Sequence, residues 1–341
     1  MNTNSSPKPT RWLITGGCGF IGRNLIKHLI QEGGHQIRVL DNLSIGTKED
    51  LKQICNFREF GEFSELSDVN NENISSYTEL AVGDIRDYET CMNCCRDIDV
   101  VVHLAANTGV GPSVENPRKD MEANVIGTFN MLEVSRQNNV KRFIFASSGA
   151  PIGECEPPIH EELAPHPVSP YGASKLAGEG YCSAYYKTYG IETVVLRFGN
   201  VYGPFSGQKN SVVAKFIKRA MTGKPLEIYG DGNQTRDFIY IDDLIRALRL
   251  SVSKNKIEGE IFQIATNKET TVSELADKLI LILAESRYEN IKMNYTGPRL
   301  GDVRRNFSDT SKALKNLGWQ TEIELFVGLR RTVEWFINKK P

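Results

Sequence analysis

The chain has 341 residues, enough for one large domain or two ordinary ones around a sizeable core. Hydrophobic residues make up 40%, charged residues 24%, and the formal net charge is −1. This is an ordinary globular composition, without the basic surplus that nucleic acid or an acidic membrane would call for and without an apolar run of membrane-span length.

The first ten residues, "MNTNSSPKPT", lack an apolar signal core and read as a frayed, disordered tail. "RWLITGG" reads as a strand entering a glycine turn, and "IGRNLIKHLIQEG" has the apolar period of a helix ending at Gly33. "HQIRVLDN" is a second strand with Asp41 at its carboxyl end. Residues 56–79 are acidic, polar and aperiodic, and read as an insertion or mobile surface loop. "DVVVHLAAN" and "VKRFIFASSG" are near-continuous apolar strands of the kind buried on both faces of a parallel sheet, and "IETVVLRFGNVYGP" supplies another. Between these last two, Ser169 and Pro170 have the chemistry of an N-cap and a first helical residue. After about residue 200 the helices "SVVAKFIKRAMTG" and "TVSELADKLILILAES" flank "PLEIYGDGNQTRDFIYIDD", and "TEIELFVGLRRTVEWFINKK" closes the chain as a helix.

Strands alternating with helices predict an α/β fold: a doubly wound parallel sheet with right-handed crossovers. The smaller second part is expected to fold over the carboxyl edge of that sheet, where such folds bind ligands. Seven cysteines without framework spacing suggest reduced thiols in a cytoplasm. The cluster Cys91, Cys94 and Cys95 lies in a helical pattern and lacks a second group of ligands, so no metal is expected.

The turn after the first strand, "GGCGFIG", fits G-x-G-x-x-G with Gly17, Gly19 and Gly22, and G-x-x-G-x-x-G with Gly16, Gly19 and Gly22. Glycines there permit a tight turn and close approach to a pyrophosphate, which the start of the next helix receives on its free N–H groups. Asp41 is placed to accept hydrogen bonds from ribose hydroxyls and to repel a 2′-phosphate, which favours NAD over NADP. Asp84 in "VGDIRD" can meet the adenine ring or serve as a turn aspartate. Tyr171 and Lys175 in "SPYGASKLAGE" stand four apart on one helix face, and Ser148 leaves a strand end 23 residues earlier. A phenol that moves a proton, a cation that favours its ionised form and a hydroxyl that orients the substrate form a general acid/base device.

Together these residues resemble the extended short-chain dehydrogenase/reductase family, and within it the nucleotide-sugar epimerases of the UDP-glucose 4-epimerase type. The resemblance covers about residues 10–338. It rests on "TGGCGFIG", "LDNLS", "GDIRD", "VVHLAA", "NVIGTFNMLE", "ASSGA", "SPYGASKLAGE", "LRFGNVYGP", "QTRDFIYIDD" and "RLGDVRRNFSDTSKA". It implies a Rossmann-type NAD-binding domain at 11–200 plus about 238–265, and a mixed α/β nucleotide-sugar domain at 201–237 and 266–341. It also implies Ser148, Tyr171 and Lys175 as catalytic. The NAD contacts it implies are Gly16, Gly19, Phe20, Ile21, Gly22, Asp41, Asn42, Asp84, Ile85, Leu104, Ala105, Ala106, Asn124, Tyr171 and Lys175. For the UDP-sugar it implies Ser148, Asn200, Arg236, Arg299, Asp302 and Asn306, the last at the wall near the C2 substituent. The implied reaction is inversion at C4 of a UDP-hexose through a transient 4-keto sugar. A uronate 4-epimerase, a decarboxylase or another NAD-dependent nucleotide-sugar oxidoreductase is the alternative, and a non-catalytic nucleotide sensor is the rival of another class. A homodimer joined through helices around 115–136 and 171–188 is implied as well. Two departures stand out. Ile152, preceded by Pro151, replaces a tyrosine that such epimerases usually carry. Gly149 and Ala150 stand where relatives that dehydrate place Asp-Glu, and where decarboxylating relatives place a glutamate at the second position. Neither residue can move a proton.

Overall fold

The apolar runs of the sequence become the middle of one sheet. The computed structural model describes residues 10–61, 77–297 and 303–338. Its first strands are β1 (Thr10–Thr15), β2 (His35–Asp41), β3 (Arg58–Glu59), β4 (Tyr77–Val82), β5 (Val100–His103), β6 (Arg142–Ser148) and β7 (Glu192–Phe198). Then come β8 (Asn200–Tyr202), β9 (Leu226–Tyr229), β10 (Thr235–Arg236), β11 (Phe238–Tyr240), β12 (Ile261–Ile264), β13 (Thr270–Thr271) and β14 (Met293–Thr296). Eight of the described strands form a parallel sheet in the order β12-β7-β6-β5-β1-β2-β4-β3. Strand order reverses between β1 and β5, which opens a crevice at their carboxyl ends.

The connecting helices are α1 (Phe20–Glu32), α2 (Lys48–Lys52), α3 (Tyr88–Cys94), α4 (Val110–Glu115), α5 (Pro117–Met121), α6 (Gly127–Gln137) and α7 (Pro170–Tyr189). A π-helical turn, Glu122–Ile126, joins α5 to α6. Alternate residues of the central strands feed two cores. Ile14, Val102 and Ile144 pack on the α1 side, and Leu13, Val101 and Phe143 on the side of α3, α6 and α7. Burial on both faces is why these strands read as unbroken apolar runs. The three clustered cysteines belong to the second core, where Cys91, Cys94 and Cys95 are buried free thiols.

Beyond β7 the chain forms α8 (Val212–Met221), α9 (Ile241–Ser253), α10 (Val272–Glu285) and α11 (Leu325–Asn338). The strand pairs β8–β11, β9–β14 and β10–β13 stand outside the large sheet, whereas β12 returns to extend it beside β7. The sequence is corrected at 56–79. Near its ends lie the edge strand β3 and the start of the interior strand β4, paired in parallel as Arg58↔Glu79 and Glu59↔Leu80. A two-residue strand is too short to show a period, so composition alone concealed it. Residues 62–76 of that segment, the tail before Thr10, and the expected ligands Arg299 and Asp302 lie outside the described residues. Among the described residues no helix is long and apolar enough to cross a membrane.

Candidate active site

At the end of β1 the chain turns through Gly16, whose φ of +69° suits glycine. A Cβ on Gly16 would sit 2.9 Å from the Ala105 amide nitrogen, and one on Gly22 would sit 2.5 Å from the Gly17 Cα. Gly19 is the N-cap of α1 and offers no side chain to it, so the first-turn N–H groups of Phe20, Ile21 and Gly22 are open to an anion. The residues therefore fit a dinucleotide pyrophosphate: the cradle exists only because it has no side chains. Leu104 and Ala105 form its other wall, their N–H groups donating to Thr15 Oγ1 at 3.2 and 3.1 Å. Ala106 follows in the same partly buried segment.

Asp41 closes β2 with its carboxylate fixed by two amides, Cys18 N–H to Oδ2 and Leu43 N–H to Oδ1, both 2.9 Å. Burial pushes its pKa up and the two amides draw it back. Each oxygen retains a lone pair for a ribose hydroxyl. Asp84 is less available, because Arg86 donates to both its oxygens at 2.9 Å and Asn42 Nδ2 adds a third bond of 2.9 Å. These contacts, the Arg86 guanidinium first, hold Asp84 well below the usual carboxylate range. Asp84 thus stands in a turn with Asn42 tied to it, and Ile85 is buried beside Gly127.

Ser169 caps α7 by accepting from Gly172 N–H at 3.1 Å, and Pro170 takes the first turn, which aims Tyr171 at the end of β6. Ser148, the last residue of β6, is close enough to Tyr171 to favour its ionised form. Lys175 is buried one turn on, with its Nζ donating to Ala146 O at 2.9 Å and lying 4.9 Å from the Phe145 ring centroid. All three residues lie at the carboxyl-terminal half of β6 or on the part of α7 packed against it, but the electrostatics differ from expectation. Tyr171 is pushed up to about 12 by burial, with Ser148 pulling down and Asp120 pushing up, and Lys175 is not among the groups that act on it. Burial also lowers Lys175 to about 8. The ammonium is turned to a backbone carbonyl, so proximity along a helix face does not by itself make the phenol acidic.

Asn124 sits in the π-turn, 1% exposed, and braces the neighbouring segments. Its Oδ1 accepts from Asn107 N–H at 2.8 Å, and its Nδ2 donates to Asn107 O, Asp120 Oδ1 and Ser174 Oγ at 2.9, 3.0 and 3.1 Å. His103 links this turn to the glycine wall. Thr128 spends its hydroxyl proton on Asn124 O (2.7 Å), so it accepts from His103 Nε2–H (3.1 Å), which leaves Nδ1 to accept from Thr15 (2.8 Å). Burial keeps this imidazole neutral, with a pKa lowered to about 3. Sequence reasoning missed His103, Asp120 and Glu179. Glu179 had a signal, since it lies four residues after Lys175 on the same helix face. Its carboxylate takes two bonds from Arg197, 2.9 and 2.7 Å, and one of 2.6 Å from Ser147.

On the far side of the crevice Asn200 is exposed at the start of β8, its N–H donating to Asp237 O at 2.7 Å. Arg236 donates to the carbonyls of Thr235 and Val303 at 2.6 and 2.7 Å. Asn306 lies near the end of β6, with its Nδ2 3.8 Å from where a Gly149 Cβ would stand. Ile152 is 1% exposed, an apolar packing residue in this loop.

A glycine cradle, an acidic residue ending the second strand, and a Ser–Tyr–Lys cluster on one sheet edge match a known sequence pattern, which covers residues 12–265. The chain belongs to the NAD-dependent epimerase/dehydratase family. It is 38% identical over 331 residues to a putative UDP-glucose 4-epimerase of Methanocaldococcus jannaschii, covering 96% of this chain and 98% of that one. It is 34% identical to the UDP-glucuronate 4-epimerase of Thermodesulfobacterium geofontis, over 95% of each. The UDP-glucose 4-epimerase of Thermotoga maritima, solved with UDP-glucose, superposes with a TM-score of 0.84 at 36% identity, covering 96% of this chain and 99% of that one. The chain is thus an enzyme of the epimerase/dehydratase family on a Rossmann-type scaffold with NAD as its cofactor.

Proposed function

We propose that this enzyme inverts C4 of a UDP-hexose, interconverting UDP-glucose and UDP-galactose and accepting the N-acetylated pair. The observation that carries the reading is the Ser148–Tyr171–Lys175 cluster followed by Gly149 and Ala150. Such a site can move a proton at one oxygen but has no second acid/base to expel water or carbon dioxide. When bound against Gly16, Gly19 and Gly22, NAD supplies the hydride acceptor, the returning hydride and positive charge beside the phenol.

Tyr171 takes the 4-hydroxyl proton and later restores it, while Ser148 hydrogen-bonds the reacting oxygen. Asp41 holds the adenosine ribose, and its charge disfavours a 2′-phosphate. Lys175, fixed at Ala146 O, keeps a positive charge against the floor of the site. Asn200 and Arg236, with Arg299 and Asp302, bind the nucleotide diphosphate and ribose, since guanidinium groups suit paired phosphate oxygens. The division of labour is between a cofactor lobe, 11–200 plus about 238–265, and a sugar-nucleotide lobe, 201–237 and 266–341.

The functional partner is a second copy of this chain. Phe129 of α6 and Tyr181, Tyr185 and Tyr189 of α7 form an aromatic ladder with centroids 5.0–6.4 Å apart. Phe129, Tyr181, Tyr189 and the nearby Ile126 remain exposed, a face suited to a matching pair of helices.

Product NMR after incubation with UDP-glucose, UDP-galactose, their N-acetyl analogues and UDP-glucuronate tests the reading. The expected product differs from substrate only in configuration at C4. A deoxy-keto sugar, released carbon dioxide, net NADH, or turnover of the uronate alone would overturn it.

A further inference from the structure

The segments that carry Asn306 and Gly149 are joined by a side chain that the proposed reaction does not use. Arg305 precedes Asn306, and its guanidinium forks onto Glu269, with Nε donating to Oε1 at 2.8 Å and Nη2 to Oε2 at 3.0 Å. Its remaining nitrogen, Nη1, donates to Glu156 Oε1 at 3.2 Å. Glu156 belongs to the connection between β6 and α7, which begins at Gly149. One guanidinium therefore grips both walls of the gap between Asn306 and Gly149.

A second route leads from the same carboxylate to Asn306 itself. Glu269 Oε1 also accepts from the hydroxyl of the buried Thr235 at 2.7 Å, which leaves that hydroxyl to accept from Asn306 N–H at 3.4 Å. The Thr235 N–H in turn donates to Arg304 O at 2.9 Å. Arg305, Glu269 and Thr235 thus close a ring of bonds on the residue beside the gap. The backbone here is anchored separately: Ile159 N–H donates to Phe307 O, and Asp309 N–H to Ile159 O, both at 2.8 Å. The Arg305 side chain is 43% exposed, and an exposed ion pair adds little to stability. The backbone bonds hold the segment; what the clasp adds is a fixed place for Asn306.

We propose that Arg305 is a positioning residue: clasped by Glu269 and Glu156, it fixes the distance between Asn306 and Gly149 and so the fit of the substituent at C2 of the sugar. This rests on Asn306 being the wall near C2 in the proposed function. A two-bond fork holds direction as well as charge, which the single ammonium of a lysine cannot copy. Glu269 is the stronger partner, since it takes two bonds, whereas Glu156 takes one with a side chain 88% exposed. Loosening the fork leaves proton transfer at Tyr171 alone. It weakens the hold on an acetamido group, which the Asn306 amide can hydrogen-bond, more than the hold on a hydroxyl.

The test measures, on the holoenzyme, kcat and the calorimetric dissociation constants for UDP-glucose and UDP-N-acetylglucosamine. Arg305→Gln removes the fork, and Glu269→Gln removes the charge while keeping an acceptor for Thr235. Each should weaken the N-acetylated sugar relative to UDP-glucose by about five-fold, the scale of one exposed ion pair, with kcat on both sugars unchanged. The double variant should be no worse than either single one, and Arg305→Lys should recover part of the loss. An unchanged affinity ratio in both single variants overturns the proposal. So do losses that multiply in the double variant, or a fall in kcat on both sugars with a lower melting temperature, which would make the clasp a general structural support. Wild type that rejects UDP-N-acetylglucosamine removes Asn306 as the C2 wall and the proposal with it. Wild type that binds both sugars but inverts neither would instead sink the functional reading, and the affinity ratio would still decide the role of Arg305.

Discussion

Tyr171, the proposed base, is disfavoured in that role by its surroundings: burial pushes the phenol up to about 12, and Ser148 alone pulls it down. Activity near neutrality then depends on added positive charge at the phenol, and removing the hydroxyl should abolish proton transfer without disturbing the cradle. Tyr171→Phe is expected to lower kcat by about 10²–10⁴-fold, the usual contribution of a positioned acid/base. The purified variant should still release NAD, not NADP, on denaturation, as its Asp41 anchor is intact. A second residue is proposed to decide which sugars enter. Asn306 holds its amide over Gly149, where it can hydrogen-bond an acetamido group and leaves more room than tyrosine would. Asn306→Tyr should retain UDP-glucose turnover and lose the N-acetylated pair by about 10-fold or more in kcat/KM, the scale of a steric change in a pocket. Equal use of both pairs by the variant would show that the gate lies elsewhere.

Elements differ in how openly they were written. The glycine turn was legible because only glycine tolerates the geometry, and its cost is testable. Gly22→Ala would drive a methyl to 2.5 Å from the Gly17 Cα and 2.6 Å from the Gly16 carbonyl oxygen, backbone atoms that cannot swing aside. A loss of about 1–3 kcal/mol is expected from such overpacking, seen as a lower melting temperature together with weakened NAD retention. Helix α7 was equally readable, since Ser169 and Pro170 announce its start and Gly190 ends it in the left-handed region. The edge strand β3 was not readable, for two residues carry no period. Nor was the role of α5, because a lone aspartate in "PRKDM" has the composition of a solvated helix start. Its burial depends on α7 packing across it, a contact between segments some fifty residues apart in sequence. Asn124 was found from its motif, but its bonds to Asn107, Asp120 and Ser174 were not: motif position shows that a side chain is near the site, and only packing shows which way its amide is spent.

At the scale of the molecule, the exposed aromatic ladder on α6 and α7 makes quaternary structure a matter of charge and shape at one face. Tyr181, 39% exposed, is far enough from Tyr171 along α7 to be changed without entering the crevice. Tyr181→Glu should halve the mass seen in sedimentation if two copies meet there, because a carboxylate facing its twin across a two-fold axis is repelled and desolvated. An unchanged mass would remove this face as the contact. The return of β12 to the edge of the large sheet has a further consequence, for synthesis rather than catalysis. During translation β7 emerges more than sixty residues before its outer neighbour (Phe198 against Ile261), and all that time its open N–H and C=O groups border the growing sheet. A nascent chain halted near residue 240 would present an unpaired, apolar edge to other chains, the usual starting point for strand-to-strand aggregation. Truncations that end between β7 and β12 should therefore accumulate in inclusion bodies, even though every residue of the Ser148–Tyr171–Lys175 cluster has already been made.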